Sequence, residues 1–500
     1  MNTIKSRKEP KKLKKLISLL LAVMFVIGIT VSCSKPGGKP DNSNNTGDSL
    51  TETDDGLYHA NVPKVNYDGA DFIIMCRSRD SSWNERAVFG EKDDATVLGA
   101  TTWYRNEKVS DMLGITLKFE EINTTVTKGT FYNLILENSR SQDYICDICV
   151  QGVYDAMNLI TTGIIENLDN IDAIDLSQPW WSRKLNASIR IANKQFFAIN
   201  DMLLNDKLDT YALFFNKELF ANNGLAEPYA LVESGDWTID ELKKLITDFG
   251  YDLNRNGKKD IDDQFGMAYQ RVDNFFTGFG IFGASLDSDG MPYMNGFSER
   301  VQDGYDKMYA LRNNYTWNEW GYWDDGHADD GLTTYLRLYP NCLFVCGPLS
   351  HYLDILPRVE NTIGVVPNPK LTSSQEEYYG RAGVSGCTAI TILNSTPDKE
   401  RAGIVAEVLG AEAKNITSPA FYKTLLTDRY AQDEESKKMI SLIIDSEMID
   451  LDSVFMWGYM GRKMEENIRD RNPAVSSLYA SMLPKANEAL QKTLDAILDY

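Results

Sequence analysis

Histidine is scarce in this chain of 500 residues: His59, His327 and His351 are the whole supply, and no two of them are spaced as a metal pair. A Gly-x-Ser-x-Gly nucleophile elbow is missing too, so zinc-hydrolase and serine-hydrolase chemistry have little to stand on. The only Cys-x-x-Cys, Cys146 and Cys149, has no second such pair and no histidine cluster to complete a metal site. Cationic charge is in deficit, with 51 Lys and Arg against 72 Asp and Glu. A surface of that sign repels nucleic acid and anionic lipid, and its simplest meaning is the solubility of an exported protein. No internal repeat is found. Gly278, Gly280 and Gly283 do spell Gly-x-Gly-x-x-Gly, but they sit among aromatic residues without a strand before or a helix after, so a loop is expected rather than a dinucleotide site.

Long apolar runs are also missing. The longest, Leu16 to Ile29, is 14 residues, whereas a helix needs roughly 20 to cross a bilayer core. It follows a basic stretch (Lys5, Arg7, Lys8, Lys11, Lys12, Lys14, Lys15) and leads through Thr30-Val31-Ser32 into Cys33. That order is an export signal, and it resembles a bacterial lipoprotein signal, which implies a diacylglycerol on Cys33 and cleavage before it. Simple signal-peptide cleavage is the rival, because Thr30 replaces the usual aliphatic residue. Ser34 to Asp48 has no apolar residue to pack and reads as a flexible tether. Loss of residues 1–32 removes seven positive charges and Glu9, taking the formal charge from −21 to about −27.

The remaining 440 or so residues exceed what one core accommodates, so two domains or lobes are expected. From Asp71 onward the sequence alternates short apolar runs with helical periodicity. Phe72 to Cys76, Ile115 to Ile122 and Tyr144 to Val150 read as strands, with helices predicted around Thr101 to Leu113 and over Thr130 to Ser139. This is the pattern of an open α/β sheet. Within the third strand, Cys146 and Cys149 would point to opposite faces and bridge poorly. Buried free thiols are expected for Cys76, Cys146, Cys149, Cys342, Cys346 and Cys387, although six cysteines in an oxidising compartment leave disulfides open. Tyr211 to Phe215 looks like a crossover into a second lobe. There Thr238 with Glu241 forms a capping box ahead of Ile239, Leu242, Leu245 and Ile246. Asn341 to Cys346, Asn361 to Val366 and Thr388 to Leu393 are further predicted strands, and the last 70 residues read as mostly helical.

Residues 252–263 carry the most specific chemistry. Asp252, Asn254, Asn256, Asp260 and Asp263 stand at loop positions 1, 3, 5, 9 and 12, with Gly257 at position 6 and the Lys258 carbonyl at position 7. Calcium takes six to eight hard oxygens in such a loop, and the glycine permits its sharp turn. A structural calcium is expected. An Asn/Gly-rich turn without a metal is the alternative, since Asp263 is shorter than the bidentate glutamate of the EF-hand pattern.

Taken in order, the exported cysteine, the strand-loop Tyr144 to Tyr154, the string Phe215-Asn216-Lys217-Glu218-Leu219-Phe220, the calcium-like loop and Gly364-Val365-Val366-Pro367-Asn368-Pro369-Lys370 resemble the extracellular solute-binding proteins of carbohydrate ABC transporters, the maltose-binding-protein-like group. The resemblance implies an α/β, two-lobed periplasmic-binding-protein type II fold, with mixed sheets, flanking helices and a hinge. It implies lobe 1 over 61–208 plus 380–430 and lobe 2 over 209–379 plus 431–500, after a signal (1–32) and a tether (33–60). Open α/β sheets bind ligands beyond the carboxyl ends of their strands. Arg77, Asp80 and Trp83 follow the first strand, Gln151 and Tyr154 the third, and Asn200 and Asp201 the run toward the crossover. Gly347-Pro348 matches a turn of the family, with Leu349 where some sugar binders carry an aromatic residue. A sugar needs rings against its C–H faces and polar groups for its hydroxyls. Trp83, Trp180, Trp181 and Trp457 are candidates for the first role and Arg77, Gln151 and Asp201 for the second, although core packing competes for each tryptophan. For Trp317, Trp320 and Trp323, at helical spacing, core packing is the expectation.

The function expected is that of a non-enzymatic, monomeric, lipid-anchored receptor on the extracellular face of the membrane, passing an oligosaccharide to a permease. A cell-surface glycoside hydrolase and a partner of a sensor kinase are the alternatives, since 72 acidic residues make chance carboxylate pairs inevitable. The acidic chain also leaves a cationic solute, a polyamine or basic peptide, open as ligand.

Overall fold

The computed structural model describes residues 56–78, 87–124, 128–269, 271–314, 319–321, 331–425 and 433–498, all within the compact unit Thr51–Tyr500. Cys33 and the export segment, Asp80, Trp83, Trp317, Trp323 and His327 lie outside the described residues. Thirteen strands are found among those described. They are β1 (Ala70–Arg77), β2 (Ile115–Ile122), β3 (Ile148–Gly152), β4 (Tyr211–Asn216), β5 (Phe265–Tyr269), β6 (Ala284–Leu286) and β7 (Pro292–Met294). After them come β8 (Glu319–Gly321), β9 (Cys342–Pro348), β10 (Ile363–Val366), β11 (Gly380–Arg381), β12 (Thr388–Thr391) and β13 (Glu447–Met448).

The first sheet has the order β12-β3-β1-β2. β1 pairs in parallel with β2 and with β3, and helices Val97–Leu113 and Thr130–Ser141 carry the crossovers. Inner strand β3 is wholly buried, as expected of a strand covered on both faces, while edge strand β2 is buried only at Ile115 and then alternates between exposed and half-buried residues. Helix Val97–Leu113 begins where Thr96 accepts a bond from the Gly99 N–H (3.0 Å) and ends at Gly114, whose φ of 60° suits glycine. Sheet completion depends on β12, which arrives 236 residues after β3 ends and pairs antiparallel with it.

The second sheet has the order β10-β4-β9-β5-β8. Its inner strand β4 is entirely buried; Phe215 packs with Phe220, Tyr229 and Phe344, and Phe214 with Tyr339, His351 and Tyr352. The string after β4 has a local explanation: the Asn216 side chain caps the following helix by accepting from Glu218 and Leu219 N–H, both at 3.1 Å. Thr238 accepts from the Glu241 N–H (3.4 Å) at the head of helix Ile239–Ile246, where the capping box placed it. His351 is a core residue, bonded to the Tyr339 hydroxyl (2.8 Å) and pushed down to about 3 by burial.

Two connections join the sheets. One runs from β3 through Ala198, which bridges Ile390 of β12, to Tyr211; the other returns from β10 through β11. Helix Lys399–Asn415 then packs on Val97–Leu113 of the first sheet, and Met460–Arg469 packs on Asp273–Gly278 and Glu299–Asn314 of the second. Among the described residues no helix is long and apolar enough to cross a membrane.

Two readings from periodicity are corrected. The third strand starts at Ile148 rather than Tyr144, because the chain turns at Asp147; Cys146 therefore escapes the strand's alternation and its sulfur lies 3.1 Å from that of Cys149. Trp320 belongs to strand β8, not to a helix, since pairing with β5 overrides the three-residue spacing.

Candidate ligand-binding site

Where the sheets meet, the first contributes the ends of β1 and β3. Arg77, the last residue of β1, is 1% exposed; its Nη1 donates to the Ser385 carbonyl (2.6 Å) and its Nη2 lies 4.0 Å from Asp155. Gly152 makes this packing possible, since a Cβ there would fall 2.0 Å from Nη2. Asp155 sits in the first turn of helix Val153–Ile160, accepts from the Lys128 N–H (2.7 Å), and has its carboxyl raised by burial. Gln151 donates to Thr391 Oγ1 (3.3 Å), while its Oε1 is buried without a hydrogen-bond partner. Tyr154 lies beneath the Lys128 ammonium, and its hydroxyl donates to the Met456 sulfur (3.6 Å).

Asp209 occupies the connection itself. Its carboxylate nests against the segment Gly383–Cys387, where a Cβ on Gly383 or Gly386 would fall 2.0 or 2.3 Å from Oδ2. Burial pushes this carboxyl up to about 7, against the opposing pull of Arg381, Arg77 and the N–H groups of Gly386 and Cys387.

The second sheet continues the alternation of charge. Arg381 lies over the Tyr211 ring and 3.8 Å from Asp273, which Arg271 grips with two bonds. Glu465 accepts from the N–H groups of Val272 and Asp273, both at 3.2 Å, and pairs with Arg271 and Arg462. A narrow recess opens here between Asp273, Thr277, Arg381, Asp452, Tyr459 and Arg462. The loop at its edge is strained: Met456 and Tyr459, the second of which lines the recess, hold φ of 55° and 48°, in the left-handed region that favours glycine. Asp452 supports this loop by accepting from Gly458 (2.7 Å), Tyr459 (2.8 Å) and Met460 (2.6 Å) N–H groups. Asp450 beside it accepts from Gly283 (2.7 Å) and Ala284 (3.2 Å), and burial with the nearby Asp452 charge pushes it up to about 7. The loop thus presents Met456, 42% exposed, to Tyr154 just after β3, and Tyr459 to the recess.

Several sequence-predicted residues fall elsewhere. Trp180 and Trp181 are 1% and 3% exposed, and both indole N–H groups donate to Glu407, at 2.6 and 2.9 Å. They are core residues whose ring faces are already covered; Gly410 leaves the space for Trp180. Asn200 is a core residue bonded to the Ala406 carbonyl (3.1 Å), and Asp201 is paired with Lys414 (3.1 Å) and Lys207 (3.6 Å). Trp457 is 5% exposed, stacked at 4.7 Å on Phe455, and donates to Thr493 (2.8 Å). Of the predicted set, Arg77, Gln151 and Tyr154 stand at the junction. Sequence reasoning missed Asp209, Asp273, Arg381, Met456, Tyr459 and Arg462. The closest thing to a signal was the glycine pair Gly383 and Gly386, crowded around a position no local spacing identifies. A wider groove lined by Glu166, Asn170, Asp398 and Lys399 lies outside the junction, with Glu166 and Lys399 already paired at 2.6 Å.

The 252–263 loop closes on itself. Asn254 and Asn256 donate to Asp260 (3.1 and 2.7 Å), Gly257 N–H donates to Asp252 (2.9 Å), and Asp263 receives Leu253 (3.1 Å) and Asp260 (2.8 Å) N–H groups. Gly257 takes the φ of 72° that the turn needs. The oxygen-rich donor set suits calcium, and one oxygen, Asp252 Oδ1, is buried without a partner. The two amides, however, turn N–H groups inward, and no group of three His, Cys, Asp or Glu residues drawn together as a metal site is found among the described residues. Binding an ion would require each amide to rotate by half a turn, exchanging nitrogen for oxygen.

No family model matches the chain, and no curated protein matches it. Solved structures do resemble it in fold. An ABC substrate-binding protein from Listeria monocytogenes in complex with cycloalternan is 10% identical, with a TM-score of 0.55 over 85% of this chain and 100% of the other. The galacto-N-biose/lacto-N-biose I-binding protein of an ABC transporter from Bifidobacterium longum, in complex with lacto-N-biose, is 11% identical, with a TM-score of 0.53 over 85% and 98%. A sugar transporter protein from Rhizobium etli in an open conformation is 13% identical, with a TM-score of 0.55 over 84% and 99%. With its paired sheets and crossed connections, the chain has the two-lobed α/β fold of the substrate-binding proteins of ABC transporters.

Proposed function

We propose that this protein is a non-enzymatic, extracellular solute-binding protein that captures a carbohydrate between its two lobes and delivers it to the permease of an ABC transporter. The supporting observation is the junction, where Tyr154, just after β3, reaches Met456 (3.6 Å) in the loop whose Tyr459 lines, with Asp273, Arg381 and Arg462, a recess on the side of the second sheet. Paired side chains that line the recess, such as Arg381, Asp273 and Arg462, offer donors and acceptors for hydroxyls, and tyrosine faces can cover sugar C–H surfaces. The fold likeness to proteins whose names describe sugar binding supports the same reading. Closure of the lobes about the Asp209 connection would trap the ligand.

In this proposal the lipid sits on Cys33 and tethers the mature, monomeric protein to the outer face of the membrane. The 252–263 loop holds calcium through Asp252, Asn254, Asn256, Asp260, Asp263 and the Lys258 carbonyl, in a structural role. Incubation with labelled oligosaccharides separates a receptor from a glycoside hydrolase: stoichiometric binding with intact ligand is expected, and released fragments would contradict it. Release of a Cys33→Ala protein from the membrane fraction is the corresponding expectation for the anchor.

A further inference from the structure

Cys146 and Cys149 have no part in the site above, yet their sulfurs are 3.1 Å apart with side chains 1% and 0% exposed. The approach is built by Asp147, the first of the two residues between them. The buried Asp147 carboxylate accepts from the Ile73 N–H (2.8 Å), the Tyr144 hydroxyl (2.8 Å) and Arg401 Nη2 (2.6 Å), while the Asp147 N–H donates to the Ile73 carbonyl (2.9 Å). Thr396 Oγ1 donates to the Cys146 carbonyl (3.2 Å). These bonds fix a turn just before β3, and the turn folds Cys146 back over Cys149. A sulfur–sulfur bond of about 2.05 Å requires closing the present gap by only about 1 Å. By contrast Cys342 and Cys346 are four residues apart in one strand, roughly 13 Å along β9.

We propose that Cys146 and Cys149 are a disulfide site, oxidised by exchange with a small-molecule or protein disulfide as the chain folds. One cysteine thiolate attacks the oxidant's S–S bond, forming a mixed disulfide and expelling the first thiolate. The second cysteine thiolate attacks the bonded cysteine sulfur and expels the other. The pair loses two protons and two electrons, and the oxidant leaves as two thiols. Timing follows from burial, since the folded Cys146 thiol is held well above its ordinary range by Cys149 and desolvation and is a poor nucleophile. The bond would lock the turn that enters β3, whose other end carries Gln151 and Gly152 at the junction. Only the supply of oxidant in the cell rests on the export reading; the pairing itself does not.

The test refolds the reduced, denatured mature protein in mixed oxidised and reduced glutathione, traps free thiols with excess iodoacetamide in denaturant at mildly alkaline pH and maps them by mass spectrometry. The peptide holding Cys146 and Cys149 is expected unlabelled and lighter by two hydrogens, while Cys76, Cys342, Cys346 and Cys387 carry label. Label on both Cys146 and Cys149, or a bond from either to another cysteine, overturns the inference. In Cys149→Ser, Cys146 is expected labelled or capped by glutathione, and a bond from it to a different cysteine would likewise overturn it. Sugar titration of the same refolded sample reports on the receptor reading separately.

Discussion

Glu407 is the buried carboxylate on which Trp180, Trp181 and the backbone of Asp175 converge, with donor distances of 2.6, 2.9 and 2.6 Å. Glu407→Leu keeps the apolar bulk but strands three donors, two of them on indoles that are at most 3% exposed. An unsatisfied buried donor costs about 1–3 kcal/mol, so after allowance for relaxation the expected loss is about 3–5 kcal/mol. Glu407→Gln keeps one acceptor oxygen and should cost about 1–2 kcal/mol. The charge adds a pH signature. Burial raises this carboxyl from 4.5 to about 7, so between those values the folded state binds a proton that the unfolded state has released. The group's contribution to stability is full below pH 4.5 and is lost as pH rises through 7, at about 1.4 kcal/mol per unit or on the order of 3 kcal/mol in all. Urea unfolding followed by tryptophan fluorescence at stepped pH reads both effects, and Glu407→Gln should remove that part of the slope. A Glu407→Leu protein within about 1 kcal/mol of wild type would refute the placement of the two tryptophans as core residues.

Asp452→Ala removes three backbone bonds from the strained 456–460 loop; weakened ligand affinity in titration is expected to exceed what its lowered melting temperature alone suggests. Gly383→Ala places a methyl group 2.0 Å from the Asp209 carboxylate and should destabilise by about 1–3 kcal/mol in denaturant unfolding, whereas Gly224→Ala, with open space but φ of 64°, meets only backbone strain. Calcium should raise the melting temperature of the wild-type protein and not that of Asp252→Ala; equal shifts in both would contradict the proposed metal loop.

Local chemistry was the legible part of this chain. The apolar runs of β1, β2 and β4 and the Thr238 capping box are visible because their determinants lie within a few residues of each other. What decides the junction is not local. β12 completes the first sheet from 236 residues beyond β3, and Arg381 meets Asp273 only because β11 returns the chain between the sheets. No spacing in the sequence announces either. Adjacent Trp180 and Trp181 look like ligand platforms until Glu407, more than 220 residues later in the chain, is seen to take both N–H groups. The left-handed backbone at Met456 and Tyr459 is equally silent, since neither is a glycine; Met456 caps the helix Leu451–Phe455 through the Asp452 carbonyl, and the Asp452 side chain holds Tyr459. Asp147 hid the Cys146–Cys149 approach in the same way, by making the strand start later than its apolar pattern suggests.

Isothermal titration of the mature protein with a panel of oligosaccharides tests the central proposal most directly, with Arg381→Ala and Tyr459→Ala alongside. Saturable one-to-one binding of at least one intact oligosaccharide, weakened tenfold or more by each substitution (about 1.4 kcal/mol), is the predicted result. Binding of polyamines or peptides with no response to any sugar would contradict the carbohydrate reading, and sugar affinity unchanged in both variants would contradict the site.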